Sequence, residues 1–360
     1  MMLTLTASLS VPGCAHRSAP LAPPSPRFYQ PHAYGSASQF NPFSQIVNEG
    51  FNTLALVAED LRLDRQPFRR SLRNLGETLQ HSGETLEGYG WGRLVRNELL
   101  PLTGKDGGQW VPNWLDHLAG SGMVSARMTE WYQAHRVPHP ALMSYLTMSA
   151  SHVLNEVIER PVSRSADALV DLLLFDNLGF LAFRSERVQR LLSGDVTFTS
   201  WARQPTISPD GAVENAGQSF VVHAPLPGTT QWKFFYYFGN THLLGTSRQL
   251  GARGLALSGG AGWGSNVVIV TDSMTDTRTV TLGPKAGIFL ERNSSLLASV
   301  LWDATRRTAV TINVYPGWIG NTRWQPGVWV GVPERGGRWQ LGVVGRLGVG
   351  AAIRGAEHPQ

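Results

Sequence analysis

The sequence contains few charged residues and almost no cysteine. Charged residues make up 16% of the 360 residues, whereas ordinary soluble domains have about 25%. Lys and Arg form no dense run interleaved with aromatics, which argues against nucleic acid as a partner. The single cysteine, Cys14, excludes an intramolecular disulfide. No complete catalytic motif occurs in the chain, so the sequence predicts no particular reaction.

What the chain does contain is typical of an envelope protein. Apolar residues reach 42%, with 39 Gly and 12 Trp, and the net charge is +5. The length allows two domains. This balance indicates a β-rich protein beside a membrane, and its positive charge favours anionic membrane lipid or lipopolysaccharide as a partner.

The position of Cys14 predicts lipidation. Residues 3–11 are apolar or hydroxylated, and Val11-Pro12-Gly13-Cys14 resembles a bacterial lipobox. We therefore expect a signal over residues 1–13 and acyl chains on Cys14, which anchor a protein stably when several act together. Residues 14–43 are rich in Pro, Ser and Ala and predict a disordered tether. The alternative is an incidental cysteine in a disordered N-terminus.

Residues 44–195 predict a helical domain. Two apolar helices are expected near residues 141–158 and 166–183, separated by Pro161 and Ser163. Both contain ionisable side chains, which are unfavourable in the centre of a bilayer. We therefore expect a helical hairpin that packs within the domain or lies against a membrane, and not two membrane spans.

The helical domain also contains a candidate polar cluster. His152, Glu156 and Glu159 share one helix face, and Asp167 and Asp171 share another. An antiparallel hairpin would bring these faces together. The candidate catalytic residues are His117, His152, Glu156 and Asp171; the candidate binding residues are Arg127, Glu130, Asn155 and Glu159.

Two interpretations of this cluster remain open. Imidazole beside several carboxylates suits a divalent metal or acid–base chemistry, so a divalent metal is a candidate cofactor. Alternatively, the groups only pair with each other and fix the helix register, for example Arg127 with Glu156 and His152 with an Asp.

The same region resembles a group of uncharacterised bacterial envelope proteins. The shared pattern is an Asn-x-x-x-His-x-x-Gly opening, a Glu-rich helix and an Asp-containing helix that ends in Gly. In this chain it covers roughly residues 45–185 and comprises Pro112-Asn113-Trp114, His117, Gly120, Gly122, Arg127, Leu154-Asn155-Glu156, Glu159, Asp171 and Gly179. The resemblance implies an outer-membrane-associated lipoprotein with a barrel-like C-terminal domain, and implies no activity.

Residues 196–354 predict an antiparallel β domain, followed by a tail over residues 355–360. Apolar residues alternate with small or polar ones, most clearly in the 15-residue run over residues 339–353, which predicts one long strand. Gly259-Gly260-Ala261-Gly262 predicts flexible hairpin turns. The expected fold class is therefore α+β, with a barrel-like sheet of about 8–10 strands that resembles an outer-membrane barrel. A soluble sandwich or lipocalin-like barrel, with the apolar face inward, is the alternative.

These features lead to one functional hypothesis and two rivals. The first is an outer-membrane protein, lipid-anchored or barrel-inserted or both, with a non-enzymatic structural role that binds lipid or an envelope protein. The second is a membrane-associated hydrolase that uses the polar cluster. The third is a β-barrel that binds a small molecule and would show an open apolar cavity.

Overall fold

The chain folds as an α+β protein. The structure is a computed structural model that describes residues 27–55, 61–100, 112–159, 166–194, 196–251, 253–271, 276–305, 308–318, 325–333 and 337–355. Its α-helices lie between Pro42 and Ser193. Apart from one two-residue strand, its strands lie between Thr197 and Arg354. The predicted signal, Cys14 and most of the predicted tail lie outside the described residues.

The α-helices of the described residues are short, and π-helical turns extend three of them. The helices are α1 Pro42–Gly50, α2 Phe68–Gln80, α3 Ser82–Tyr89, α4 Trp91–Leu94, α5 Gly122–Ala134, α6 Pro140–Ile158, α7 Ala166–Leu169, α8 Asp176–Ala182 and α9 Glu186–Ser193. The π-helical segments are Val95–Leu99, Pro112–Ser121 and Val170–Phe175. None of the described helices is both long and apolar enough to cross a bilayer.

Local sequence explains where two of these helices begin. The Asn41 side chain accepts a hydrogen bond from the Ser44 amide at 2.9 Å, and Pro42 occupies the first position of α1. Pro140 likewise occupies the first position of α6, directly after His139, which has a φ of 52°. The helical hairpin therefore follows the prediction closely, with α6 ending at Ile158 and α7 to α8 ending at Ala182.

The segment after residue 26 corrects the prediction of a tether over residues 14–43. Three consecutive backbone amides, those of Arg27, Phe28 and Tyr29, donate to the Glu130 carboxylate at 2.7–2.8 Å. Phe28, Tyr29 and Phe40 are buried against the helices. Residues 27–43 are therefore folded, because their aromatic side chains supply the apolar area that a Pro- and Ser-rich composition otherwise lacks.

One mixed sheet contains every named strand. Its strands are β1 Leu61–Arg62, β2 Thr197–Ala202, β3 Thr206–Ile207, β4 Ala212–Glu214, β5 Gln218–Pro225, β6 Trp232–Phe238, β7 Thr241–Gln249, β8 Leu255–Thr271, β9 Asp276–Arg292, β10 Ser295–Asp303, β11 Thr308–Val314, β12 Gly327–Pro333, β13 Gln340–Val344 and β14 Gly350–Arg354. The order is β1-β4-β3-β14-β13-β12-β11-β10-β9-β8-β7-β6-β5-β2. The β14–β3 pair is parallel and the others are antiparallel.

The sheet differs from the prediction in three ways. Among the described residues it has 14 strands where about 8–10 were expected, because strands of two or three residues near its ends are too short to show a period-2 pattern. Residues 339–354 form a hairpin and not one strand, since Gly348 turns the chain with a φ of 80°. The Gly-rich run from Gly259 lies inside β8 and makes no turn. Gly262 is needed there because a Cβ would lie 2.0 Å from the His242 carbonyl oxygen on β7.

The two faces of the sheet have different chemistry. One face contains a buried aromatic cluster, which includes Trp201, Phe235, Tyr237, Phe289 and Tyr315. The same face holds buried ion pairs, Lys285 with Asp303 at 2.8 Å and His223 with Glu291 at 3.0 Å. This face is thus densely packed and partly charged.

The opposite face carries a row of aliphatic side chains across six neighbouring strands. Each member pairs in register with the next, and the row is largely exposed, with Ile288 58% exposed. From β9 to β14 its members are Ile288, Val300, Ile312, Val330, Leu341 and Ile353.

The helices cover part of this second face, at strands β2, β5 and β6. Phe198, Phe220 and Phe238 of these strands pack among Met123, Val124 and Met128 of α5. Gly120 allows close contact, because a Cβ there would lie 2.4 Å from the Phe220 ring. Arg127 donates to the Ser200 carbonyl oxygen and hydroxyl at 3.1 and 2.8 Å. The helical part is thus docked on one side of the sheet.

Two further features of the sheet concern its ends and its longest strands. Strands β2 and β3 lie near opposite ends of the order, yet only residues 203–205 separate them in the chain. Residues 215–217 link β4 to β5 in the same way. Strands β8 and β9 extend beyond their neighbours: pairing with β7 ends at Gly264, and pairing with β10 ends at Lys285.

Candidate functional site

Four chain segments bring two histidines and two aspartates together in the helical part. His117 lies in the π-helical segment Pro112–Ser121, and His152 lies in α6. Asp171 lies in the π-helical segment Val170–Phe175, and Asp176 begins α8. Single π-helical turns inside helices occur frequently at functional sites. We call His117, His152, Asp171 and Asp176 the His–Asp cluster.

Asp176 links the two imidazole rings. Its Oδ1 lies 2.9 Å from His117 Nδ1, and its Oδ2 contacts His152 Nδ1. The ring centroids are 5.2 Å apart, and the ring planes meet at 76°. One donor atom from each of His117, His152 and Asp176 lies within 4.8 Å of the others. The three side chains therefore converge on one point.

The outer ring nitrogens also have polar neighbours. His117 Nε2 lies 3.6 Å from Asp171 Oδ2. His152 Nε2 lies 3.1 Å from Ser121 Oγ and 4.0 Å from Glu49 Oε1. The Ser121 hydroxyl donates to the Asp116 carbonyl oxygen at 3.1 Å. Both rings are therefore held at both nitrogens.

Burial dominates the electrostatics of the surrounding carboxyl groups. It raises the pKa of Asp171 well above its usual value, although His117 acts in the opposite direction. Burial likewise raises the pKa of Glu49, and it raises that of Asp116 to about 7. The pKa of Glu156 is raised well above its ordinary value, first by burial and then by Glu159 and Asp171. Burial therefore favours the neutral form of each of these carboxyl groups.

Asp176 and His117 show the opposite balance. Burial would raise the pKa of Asp176, but His152 and His117 outweigh it and lower the pKa to about 2. Burial would lower the pKa of His117, but Asp171 and Asp176 raise it well above its usual value. An ionised carboxylate beside a protonated ring therefore occupies the centre of the cluster.

The predicted catalytic residues are brought together only in part. His117, His152 and Asp171 lie in the cluster, and Glu156 is buried within electrostatic reach of Asp171. The central residue, Asp176, was noted in the sequence only as an ionisable group of the second helix. Glu49, Asp116 and Ser121 gave no sequence signal at all, because each is an ordinary polar residue in its own segment.

The predicted binding residues lie elsewhere and have structural contacts. Arg127 lies over the Phe40 ring, 4.0 Å from its centroid, and contacts Ser200 rather than Glu156. Glu130 binds the backbone amides of residues 27–29. Asn155 and Glu159 both accept from Thr53 Oγ1, at 2.6 and 3.2 Å. These four residues therefore fix folded segments to α5 and α6.

The structure also contains a cavity of about 420 Å³ beside α5 and α6, which Arg27, Glu130, His139, Phe180 and Arg184 help to line. It does not include the His–Asp cluster. On the sheet, Trp201 and Phe289 belong to a buried aromatic cluster.

No protein-family model, no curated protein and no solved structure is detectably similar to this chain.

Proposed function

We propose that the chain is an outer-membrane protein whose sheet forms a closed barrel in lipid, and whose role is to bind membrane lipid or an envelope partner without catalysis. The aliphatic row from Ile288 to Ile353 carries this proposal. Exposed apolar patches of this extent are rare on soluble monomers. A lipid-inserted barrel needs an apolar outer band and accepts polar groups inside.

The links between β2 and β3 and between β4 and β5 support closure. Three residues between two strands span no more than about 14 Å from one flanking Cα to the next. The strands near the two ends of the order must therefore lie close together. One bent hairpin, from Thr197 to Pro225, would then pair with β6 through β5 and with β14 through β3.

Exposed apolar side chains on the helices also support contact with lipid. Leu142, Tyr145 and Leu146 share one side of α6, at the i, i+3 and i+4 spacing. The second arm of the hairpin exposes Leu173, Leu174, Leu178 and Leu181. A bilayer would cover both this surface and the aliphatic row. The resemblance to envelope proteins and a lipid anchor on Cys14 are consistent with the same location.

Fractionation of wild type and Cys14→Ser cells, combined with palmitate labelling, tests this proposal. We expect labelled wild-type protein in the outer membrane. We expect unlabelled Cys14→Ser protein to remain there after a urea wash, because the barrel itself inserts. Recovery of the wild type in the soluble fraction would contradict the location. Release of only the Cys14→Ser protein would contradict insertion of the barrel. The lipid anchor alone would then hold the wild type at the membrane.

Convergence of the His–Asp cluster favours a second candidate, a membrane-associated hydrolase. The test is hydrolysis of ester and phosphoester lipids by purified full-length protein and by Asp176→Asn. Hydrolysis that falls at least 100-fold in Asp176→Asn, but persists in His135→Gln, would favour the enzyme. Equal rates in all three proteins would exclude it.

A further inference from the structure

We propose that His117, His152 and Asp176 bind one divalent first-row transition-metal ion through both Nδ1 atoms and the Asp176 carboxylate. Among such ions, Zn²⁺ suits two imidazoles and a carboxylate best, and three protein ligands leave one position open. This inference is independent of membrane insertion, since it concerns only the helical part.

The positions of the donor atoms suit a single ion. Four-coordinate Zn²⁺ binds nitrogen and oxygen at about 2.0–2.2 Å, which places its ligand atoms about 3.3–3.6 Å apart. One ligand atom from each of the three side chains lies within 4.8 Å of the others. Side-chain rotations that move these atoms by about 1 Å would bring them to the separations of a four-coordinate site.

The hydrogen bonds around His152 supply an independent argument. The Ser121 hydroxyl donates its hydrogen to the Asp116 carbonyl oxygen, so Ser121 Oγ can only accept from His152 Nε2. A neutral His152 with its hydrogen on Nε2 presents a lone pair at Nδ1. That lone pair faces the Asp176 carboxylate, which also offers only lone pairs. A metal ion bound by both atoms would resolve this contact once they move apart, as would a proton on His152 Nδ1.

The surroundings of His117 follow the pattern of metal-bound histidine. Such rings usually donate their second N–H to a carboxylate, which orients the ring. His117 Nε2 faces Asp171 in this way. Asp171 Oδ1 and Asp116 Oδ1 are buried and have no hydrogen-bond partner within the described part of the chain.

The cluster is also accessible from one side. The His117 and Asp176 side chains are 17% and 15% exposed, whereas His152 is 2% exposed. An ion would therefore enter past His117 and Asp176.

Equilibrium dialysis of the full-length protein in detergent tests the site. The protein is first stripped with a chelator and then exposed to ZnCl₂ or CoCl₂, and bound metal is counted by mass spectrometry. We expect one ion per chain in the wild type. Asp176→Asn and His117→Gln should each weaken binding by at least 100-fold, because each removes a ligand. His135→Gln, which changes an exposed histidine, should bind as the wild type does.

Two further measurements distinguish the loss of a metal ligand from misfolding of a variant. Zn²⁺ should raise the melting temperature of the wild type, because a ligand of the native state alone stabilises it. Bound Co²⁺ should show the intense visible absorption of a four-coordinate site. Asp171→Asn should retain one ion but weaken binding about 10–100-fold, as expected for a residue that only orients a ligand.

Other results would overturn the proposal. One is wild-type protein that binds no ion and gains no stability from Zn²⁺. Another is folded Asp176→Asn that binds Zn²⁺ as tightly as the wild type. A third is labelling of Ser121 by a fluorophosphonate probe in metal-free protein, with no labelling of Ser121→Ala. That result would show that His152 acts as the base of a serine nucleophile instead of binding a metal.

Discussion

At the scale of single residues, Lys285 is a charged side chain that is buried on the packed face of the sheet. It is 3% exposed, and its ammonium lies 2.8 Å from Asp303. Asp303→Asn should reduce the free energy of unfolding by roughly 3–5 kcal/mol at pH 7, because it removes a carboxylate that pairs with a buried ammonium group. Urea denaturation measures this, with Asp64→Asn at an exposed position as the control. An equal loss in both variants would contradict the interpretation.

The same pair predicts a pH dependence. Burial would raise the pKa of Asp303, but Lys285 outweighs it, and the pKa lies below the ordinary 3.8. A depressed pKa contributes stability that is fully present above the unfolded-state value and disappears as pH falls through the folded-state value. The difference between wild type and Asp303→Asn should therefore shrink below about pH 4. A difference that persists at pH 2 would show that packing, and not charge, causes it.

Two glycines in the helical part should respond oppositely to alanine. A Cβ on Gly120 would meet the Phe220 ring at 2.4 Å, whereas a Cβ on Gly76, inside α2, would meet no atom within 4 Å. Gly120→Ala should destabilise by about 1–3 kcal/mol through overpacking. Gly76→Ala should stabilise by about 0.5–1 kcal/mol, since alanine favours the helix. Thermal unfolding of both variants checks this, and a matching sign would be inconsistent with the contact at Phe220.

The His–Asp cluster was only partly predictable from the spacing of residues in the sequence. His152 and Asp171 were predictable because each lies on a helix face with a regular spacing. Asp176 follows Asp171 by five residues, which in an α-helix places the two side chains about 140° apart. The π-helical segment Val170–Phe175 adds a residue to this turn and alters that relation. No sequence pattern predicts such a turn, so the sequence did not identify Asp176 as the central residue of the cluster.

At the scale of elements, the outward row of the sheet gives the sharpest test of the proposed barrel. Ile288 is exposed, and an exposed side chain on a soluble protein tolerates substitution within about 0.5 kcal/mol. In lipid, Ile288→Lys should instead lower the stability of the inserted protein by about 2–4 kcal/mol. Ile288→Leu is the matched control and should be neutral. Refolding into vesicles measures both, and a neutral Ile288→Lys would argue for a surface in water.

Elements with strong periodicity were predictable, and elements set by single residues were not. The 3.6-residue pattern predicts α6 close to its observed ends. The turn at Gly348 and the straight strand through Gly259 depend on backbone conformation and on close contact with β7. A period-2 pattern continues unchanged through such positions, so it cannot separate one long strand from a hairpin.

At the scale of the whole molecule, the helical part and the sheet depend on each other. The chain from Arg27 to Phe40 lies against both: Glu130 holds its first residues, and Ser36 Oγ accepts from the Leu296 amide at 3.1 Å. Contacts between residues so distant in sequence leave no local pattern. For this reason the Pro- and Ser-rich composition predicts a tether, whereas residues 27–43 are folded in the structure.

The unequal lengths of the strands also concern the whole molecule. Ser265–Thr271 of β8 pair with β9 alone among the described residues, over a length of about 24 Å. In such a two-stranded ribbon every second amide points away from its partner strand. Hydrogen–deuterium exchange should therefore divide β8 at Gly264, with slow exchange before it and fast exchange at alternate amides after it. Uniform protection along β8 would mean that a surface other than β9 shields the ribbon from solvent.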